Sequence, residues 1–201
     1  MNATRTNPLF TALATRLAAC IEFGLVNQVD AMSTIIDKTS EKLLSLAQDK
    51  MTNTDFDAIA TRLATVDDTG KGLEQVKTIE KVVRLCNAIA LDLESGLCGY
   101  MKYTALSTLQ NGNAITVREN VCALSKVAHH DSDIFAVREG FKNLARYSVG
   151  TGSSQSSQCR QVFNLCGFYE SFGRGCKNDK PELNAYGIAT LNKLVYKQIN
   201  A

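Results

Sequence analysis

The chain has 201 residues, of which 45% are hydrophobic and 21% charged, and its 22 basic and 20 acidic side chains leave a formal net charge of +2. This length suits one domain, and the apolar content is too high and the net charge too small for a disordered chain. The near balance of charge argues against a polycation that binds nucleic acid through its phosphates.

The sequence also lacks the usual signals of membrane insertion and export. No stretch reaches the roughly 18 consecutive apolar residues that a transmembrane helix needs. The polar segment 1–8 has no continuous apolar core of the kind found in secretory signal peptides. We therefore expect a soluble chain in an intracellular or organellar location.

Apolar residues recur at helical spacing along most of the chain, which predicts an all-α fold. We expect a single globular bundle of about seven to eight helices that forms one domain over 1–201. A long helix is predicted to begin near Val76 and to end at Asn111-Gly112-Asn113. The other predicted helices cover 8–22, 27–50, 55–66, 117–128, 134–148 and 158–172, followed by a C-terminal helical extension over 178–201.

Residues 150–157 interrupt this helical pattern. They read Gly-Thr-Gly-Ser-Ser-Gln-Ser-Ser, a composition that is typical of a flexible loop. Cys159 follows directly, at a position where a thiol is expected to be exposed and reactive.

Two segments of the chain resemble each other. Residues 10–18 and 56–64 are identical at seven of nine positions, and both end in Ala-Thr-Arg-Leu-Ala. They are either copies of a duplicated helical hairpin or two amphipathic helices built from common helix formers. A third copy is incomplete, whereas repeat arrays need about three units or more.

Seven cysteines make an odd number, so at least one has no partner within the monomer or is linked to another molecule. Cys86 lies on an apolar helical stripe and is expected to be a small core residue. Cys159, Cys166 and Cys176 are spaced too widely for a zinc site with close ligand pairs, so no metal site is predicted. Disulfides among these three stay open for an oxidising environment.

The pair His129-His130 precedes an Asp-Ser-Asp sequence. Adjacent helical residues point about 100° apart, so the two imidazoles are poorly placed to bind one metal ion. The pattern favours a helix end followed by the N-cap of the next helix. A histidine paired with a distant cysteine nucleophile is the alternative, and it would make the chain a cysteine-dependent enzyme.

Tyr100 and Tyr103 lie one turn apart on the predicted long helix. Aromatic residues at this spacing most often belong to a helical core. The alternative is that they form the wall of a pocket for a planar ligand between helices.

Three stretches of the sequence resemble one known family. They are the run from Asp30 to Ile35, the acidic and aromatic residues from Asp92 to Tyr103, and Cys159 with the Gly-Phe-Tyr-Glu of 167–170. In this order they are similar to the β-type chains of phycobiliproteins, which are all-α and globin-like and assemble into light-harvesting rings and rods. The family places its central bilin cysteine three residues before the aspartate, where this chain has Ile89.

The resemblance implies a covalent bilin cofactor and roles for five residues. Cys159, or else Cys86, would carry the bilin through a thioether bond. Asp92 would bind the pyrrole nitrogens, and Tyr100 and Tyr103 would enclose the chromophore.

The residues themselves favour a different function. No nucleophile–base pair or metal cluster is visible in the sequence, and the nearly neutral composition tolerates close assembly. We expect a non-catalytic helical subunit, without a cofactor, that packs against protein partners or copies of itself. The bilin carrier and the cysteine-dependent enzyme are the alternatives.

Overall fold

A computed structural model of the chain describes residues 6–67, 72–93, 96–125, 147–172 and 180–196. This part of the chain contains nine α-helices and isolated β-bridges in place of strands, so the predicted all-α fold is confirmed. The helices are α1 (Pro8–Glu22), α2 (Val26–Asp37), α3 (Glu41–Lys50), α4 (Phe56–Ala64), α5 (Val76–Leu91), α6 (Gly99–Gln110), α7 (Val117–Leu124), α8 (Val149–Leu165) and α9 (Ala185–Val195).

The chain divides into two compact units, 1–96 with helices α1 to α5 and 97–201 with helices α6 to α9. In the first unit, α1 packs against α4 and α2, while α3 packs against α5. In the second unit, α7 packs against α8, and α6 contacts α7, α8 and α9. The single domain over 1–201 stays a prediction.

The core of the first unit contains an arginine beside its apolar residues. Arg16 on α1 is only 1% exposed, and its guanidinium donates hydrogen bonds to the carbonyl oxygens of Thr65 (2.8 Å) and Glu74 (3.5 Å). Arg62 on α4 donates to the Glu74 carboxylate at 2.6 Å. These two arginines hold equivalent positions in the two similar segments, and both bind the segment that joins α4 to α5.

The second unit has a buried polar contact between its helices. Asn120 on α7 is fully buried, and its side-chain nitrogen donates to the hydroxyl oxygens of Thr104 on α6 (3.2 Å) and Ser156 on α8 (2.8 Å). Because buried polar groups require partners, this contact fixes the relative positions of the three helices.

The prediction of one helix over 27–50 is wrong, because α2 ends at Asp37 and α3 begins at Glu41. Thr39 lies in the break, where its hydroxyl donates to the carbonyl oxygen of Ile35 at 2.6 Å. Side-chain hydrogen bonds of this kind compete with helix continuation. The helix predicted over 55–66 is present as α4, and the Asp55 carboxylate caps it by accepting from the Ala58 amide at 2.8 Å.

The predicted long helix from Val76 is also wrong, because it is two helices. α5 ends at Leu91, and Asp92 adopts a left-handed backbone conformation with φ of 52°. The Leu93 amide then donates to the carbonyl oxygen of Ala88 at 3.0 Å, which closes the helix end. α6 begins only at Gly99 and ends at Gln110, next to the predicted stop at 111–113.

The flexible loop predicted over 150–157 is wrong, because these residues lie inside α8. The helix predicted over 158–172 therefore begins earlier, and it ends at Leu165. Gly167 explains this end, because its φ of 72° lets the Phe168 amide donate to the carbonyl oxygen of Phe163 at 3.0 Å.

Three predicted helices lie partly outside the described residues. The one over 134–148 lies almost wholly outside the described residues, as do the last residues of the helix predicted over 117–128. Of the C-terminal extension over 178–201, residues 180–196 are described, and α9 occupies Ala185–Val195.

Candidate binding surfaces and the predicted site residues

Cys86 lies on α5 and is fully buried in the first unit. Burial penalises the charged thiolate and raises the pKa of this thiol to about 12. Because the thiolate is the reactive form, Cys86 is a poor nucleophile at neutral pH. The expectation that it is a small core residue is therefore confirmed.

Asp92 ends α5, and its carboxylate forms an ion pair with Lys50 at 2.9 Å. The Lys50 ammonium also donates to the carbonyl oxygen of Ala90 at 2.7 Å. A cation at a helix C-terminus is favourable because the last carbonyl groups have no partner within the helix. These contacts give Asp92 and Lys50 a structural role at the end of α5.

Tyr100 and Tyr103 lie in the second unit, on α6, beside a third tyrosine, Tyr147. No sequence pattern predicts that Tyr147 lies there. The rings of Tyr100 and Tyr147 are tilted by 41° with centroids 4.2 Å apart. Burial raises the pKa of Tyr147, and the proximity of Tyr100, Tyr103 and Cys98 raises it further. The three tyrosines thus lie together with Cys98 at the start of α6, and we call this group the tyrosine cluster.

Cys159 lies on α8 and is fully buried, so the expectation of an exposed thiol is wrong. Its neighbours include Arg160 and Tyr169. None of the six cysteines that the structure describes forms a disulfide, while Cys176 lies outside the described residues. Cys159 is therefore a buried residue of α8, whereas Tyr100, Tyr103 and Tyr147 lie together at the start of α6.

Within the described ranges, no group of three or more histidine, cysteine, aspartate or glutamate side chains is arranged to hold a metal ion. His129 and His130 lie outside these ranges. None of the helices in the described part of the chain has the length and hydropathy to cross a bilayer.

The turn between α1 and α2 exposes three large apolar side chains within six residues. Ile21 is 60% exposed, Phe23 40% and Val26 69%. We call residues 21–26 the α1–α2 corner. Single exposed apolar residues are ordinary, whereas several close together in the chain are less common.

The backbone of the α1–α2 corner is well defined. Gly24 has φ of 65°, a conformation that glycine adopts without steric cost. This allows the Leu25 amide to donate to the carbonyl oxygen of Cys20 at 2.9 Å, while the Gly24 amide donates to that of Ile21 at 3.1 Å. The pair of hydrogen bonds is a Schellman motif, so the apolar side chains are displayed by a regular turn.

A groove of about 490 Å³ runs between α2 and α5 in the first unit. Its apolar lining comes from both helices, and its charged lining contains three basic side chains and one acidic one. No sequence pattern indicates this groove, because its two walls are about forty residues apart in the chain. Ala31 and Ile35 of α2 face Val76 and Val83 of α5 across it.

No family model, curated protein or solved structure matches this chain. The similarity to phycobiliprotein β-type chains, and the bilin that it implies, stay predictions.

Proposed function

We propose that the chain is a non-catalytic helical subunit that associates with a second copy of itself through the α1–α2 corner. The observation that carries this proposal is the exposure of Ile21, Phe23 and Val26 on one regular turn. Fully burying such a side chain from complete exposure is worth roughly 1.5–3 kcal/mol, and these three, which are 40–69% exposed, would contribute a part of that.

The charge of the molecule supports self-association over a strongly charged partner. A net charge of +2 on 201 residues produces little repulsion between copies. A two-fold axis through the corner would place the same apolar side chains against each other, as an isologous interface requires.

The positions of the cysteines favour this proposal over the alternatives. A bilin on Cys86 or Cys159, or a reaction at either thiol, requires that another molecule reach it, and both are fully buried. Of the described cysteines, Cys98 alone is partly exposed. The ring contact between Tyr100 and Tyr147 is one that packing of aromatic side chains produces without a ligand.

Sedimentation velocity over a concentration series tests the proposal. The wild-type chain should show a concentration-dependent dimer, and the double variant Ile21→Ser/Val26→Ser should remain monomeric. The matched control is Leu46→Ser/Leu91→Ser, which removes two other apolar side chains, 38% and 48% exposed, and should still dimerise.

Two results would overturn the proposal. One is a wild-type chain that stays monomeric at every concentration, and the other is a corner variant that dimerises as strongly as the wild type. A corner variant that loses its helical circular dichroism would be replaced by the milder Val26→Ser, for which the same loss of dimer is expected.

A further inference from the structure

We propose that the groove between α2 and α5 binds a small amphipathic carboxylate, with its apolar tail between the helices and its acidic group at the basic rim. This site lies on the first unit and does not depend on the self-association proposed above.

The size and lining of the groove fit an apolar tail. Its volume of about 490 Å³ lies within the roughly 300–1,000 Å³ of small-molecule sites. Ala31 and Ile35 line it from α2, and Val76 and Val83 line it from α5. An acyl or aromatic group placed there would leave water for an apolar surface.

The charges at the rim select an anion. Glu80 is already paired with Arg84 in an ion pair of 2.8 Å on the surface of α5. Lys38 and Lys77 form no ion pair with any residue that the structure describes. Two ammonium groups are therefore available to a carboxylate at the edge of an apolar groove.

Asn87 adds a polar group to the wall. Its side-chain oxygen is buried and accepts no hydrogen bond from the described residues. A buried polar atom without a partner costs roughly 1–3 kcal/mol. This oxygen is an acceptor, so an ionised carboxylate, which has no proton to donate, does not satisfy it. A hydroxyl or amide N–H on the ligand would, which favours a ligand with a donor group in its tail over a plain hydrocarbon.

The charge of the lining argues against a cationic occupant. Three basic side chains and one acidic side chain disfavour a cationic ligand or a basic peptide helix.

Isothermal titration of the full chain with dodecanoate, kept below its micelle concentration, tests the proposal. Methyl dodecanoate is the uncharged comparison. The wild type should bind both and should bind the carboxylate more tightly, since hydrogen bonds to a charged group are stronger than neutral ones.

Two variants separate the head from the tail. Lys77→Glu should weaken dodecanoate binding at least about tenfold and leave the methyl ester unchanged, because it alters only the rim. Ala31→Phe should weaken both ligands, because it fills the groove. The matched control Lys42→Glu reverses an exposed lysine on α3 and should change neither affinity.

The proposal is overturned if the wild type binds no dodecanoate, or if Lys77→Glu and Ala31→Phe both bind like the wild type. Equal affinity for the acid and the ester would overturn the assignment of an anionic ligand. Lys77 is exposed in the first turn of α5, where a glutamate is favourable, so Lys77→Glu is expected to fold.

Discussion

Arg16 is among the largest fully buried side chains of the molecule, and its guanidinium holds the segment that joins α4 to α5. A Cβ at Gly72 would overlap this guanidinium, so a larger residue there would displace it from its hydrogen-bond partners. Arg16 and Gly72 therefore join α1 to the segment between α4 and α5. The contact depends on the long, charged side chain of Arg16 and on the absence of a side chain at position 72.

Replacing Arg16 by methionine should lower the free energy of unfolding by about 2–4 kcal/mol. The substitution keeps most of the buried volume but leaves the carbonyl oxygens of Thr65 and Glu74 without their donor. Urea unfolding measures the change. Arg118→Met, at an exposed arginine of α7, is the control and should change the stability by less than about 0.5 kcal/mol. Equal effects of the two substitutions would contradict a structural role for Arg16.

The thiol of Cys86 should make the stability depend on pH in the alkaline range. The folded chain keeps this proton up to about pH 12, whereas the unfolded chain releases it near the ordinary value of 9.0. The stabilisation is therefore complete below 9.0 and is lost as pH rises toward 12. The burial of Tyr169, which raises the pKa of its phenol, acts in the same direction.

Urea unfolding at several pH values, with wild type and Cys86→Ala side by side, measures this contribution. The stability difference between wild type and variant should shrink as pH rises through the window from 9.0 to about 12. The control Val82→Ala also shortens a buried side chain of α5 but removes no titratable group, so its stability difference from the wild type should stay constant over the same pH range. A Cys86→Ala difference that stays constant with pH would mean that this thiol is not shielded from solvent.

At the scale of the elements, α8 is the helix whose first half the composition does not predict. Its first half consists of glycine, serine and other small residues, which have weak helix propensity. Small residues nevertheless allow close approach: a Cβ placed at Gly152 would lie 3.4 Å from the Cβ of Ser125, at the end of α7. Packing against α7 and the buried hydrogen bond of Ser156 thus stabilise a helix that composition alone assigns to a loop.

Serine-to-alanine substitutions distinguish a helix from a loop over these residues. The triple variant Ser153→Ala/Ser154→Ala/Ser157→Ala changes exposed helical positions and should raise the stability by about 1 kcal/mol in total. Ser156→Ala should instead lower it by about 1–2 kcal/mol, because Asn120 loses an acceptor. Thermal unfolding followed by circular dichroism measures both. If the exposed substitutions have no effect, the segment is not helical in solution.

The sequence predicted elements where the local signal was strong. Pro8 and the apolar residues of α1 gave its bounds, and Asp55 gave the start of α4. The breaks near Thr39 and Asp92 were missed, because the apolar pattern continues across them while side-chain and backbone hydrogen bonds end the helices.

The candidate surfaces were harder to predict. Ile21 continues the four-residue spacing of Leu9, Leu13 and Leu17, a pattern that predicts one shared face of the helix. A helix has 3.6 residues per turn, so each such step drifts by about 40° around the axis. By Ile21 the stripe has left the core, and Arg16 and Cys20 are buried instead. The groove depends on the gap that α2 and α5 leave where they pack. The apolar pattern of either helix alone does not predict the width of that gap.

At the scale of the whole molecule, the helices of the first unit pack against one another and form a core of their own. Its helices pack in the pairs α1 with α4, α1 with α2, and α3 with α5, and all of these lie within residues 1–96. Arg16 of α1 donates to the Glu74 carbonyl oxygen, and Arg62 of α4 donates to the Glu74 carboxylate, all inside the same range. A chain of about this length can bury enough surface to fold alone.

We therefore expect a fragment of residues 1–96 to fold by itself, with a cooperative thermal transition measured by circular dichroism. A fragment of residues 1–75 is the matched control: it lacks α5, so α3 loses its main partner and core residues such as Ile79 and Val82 are missing. This shorter fragment should show no cooperative transition. If 1–96 also unfolds without cooperativity, the first unit depends on the rest of the chain, and the single domain predicted over 1–201 is supported. If 1–96 and 97–201 both unfold cooperatively, the chain has two domains, because each unit then carries its own folding free energy.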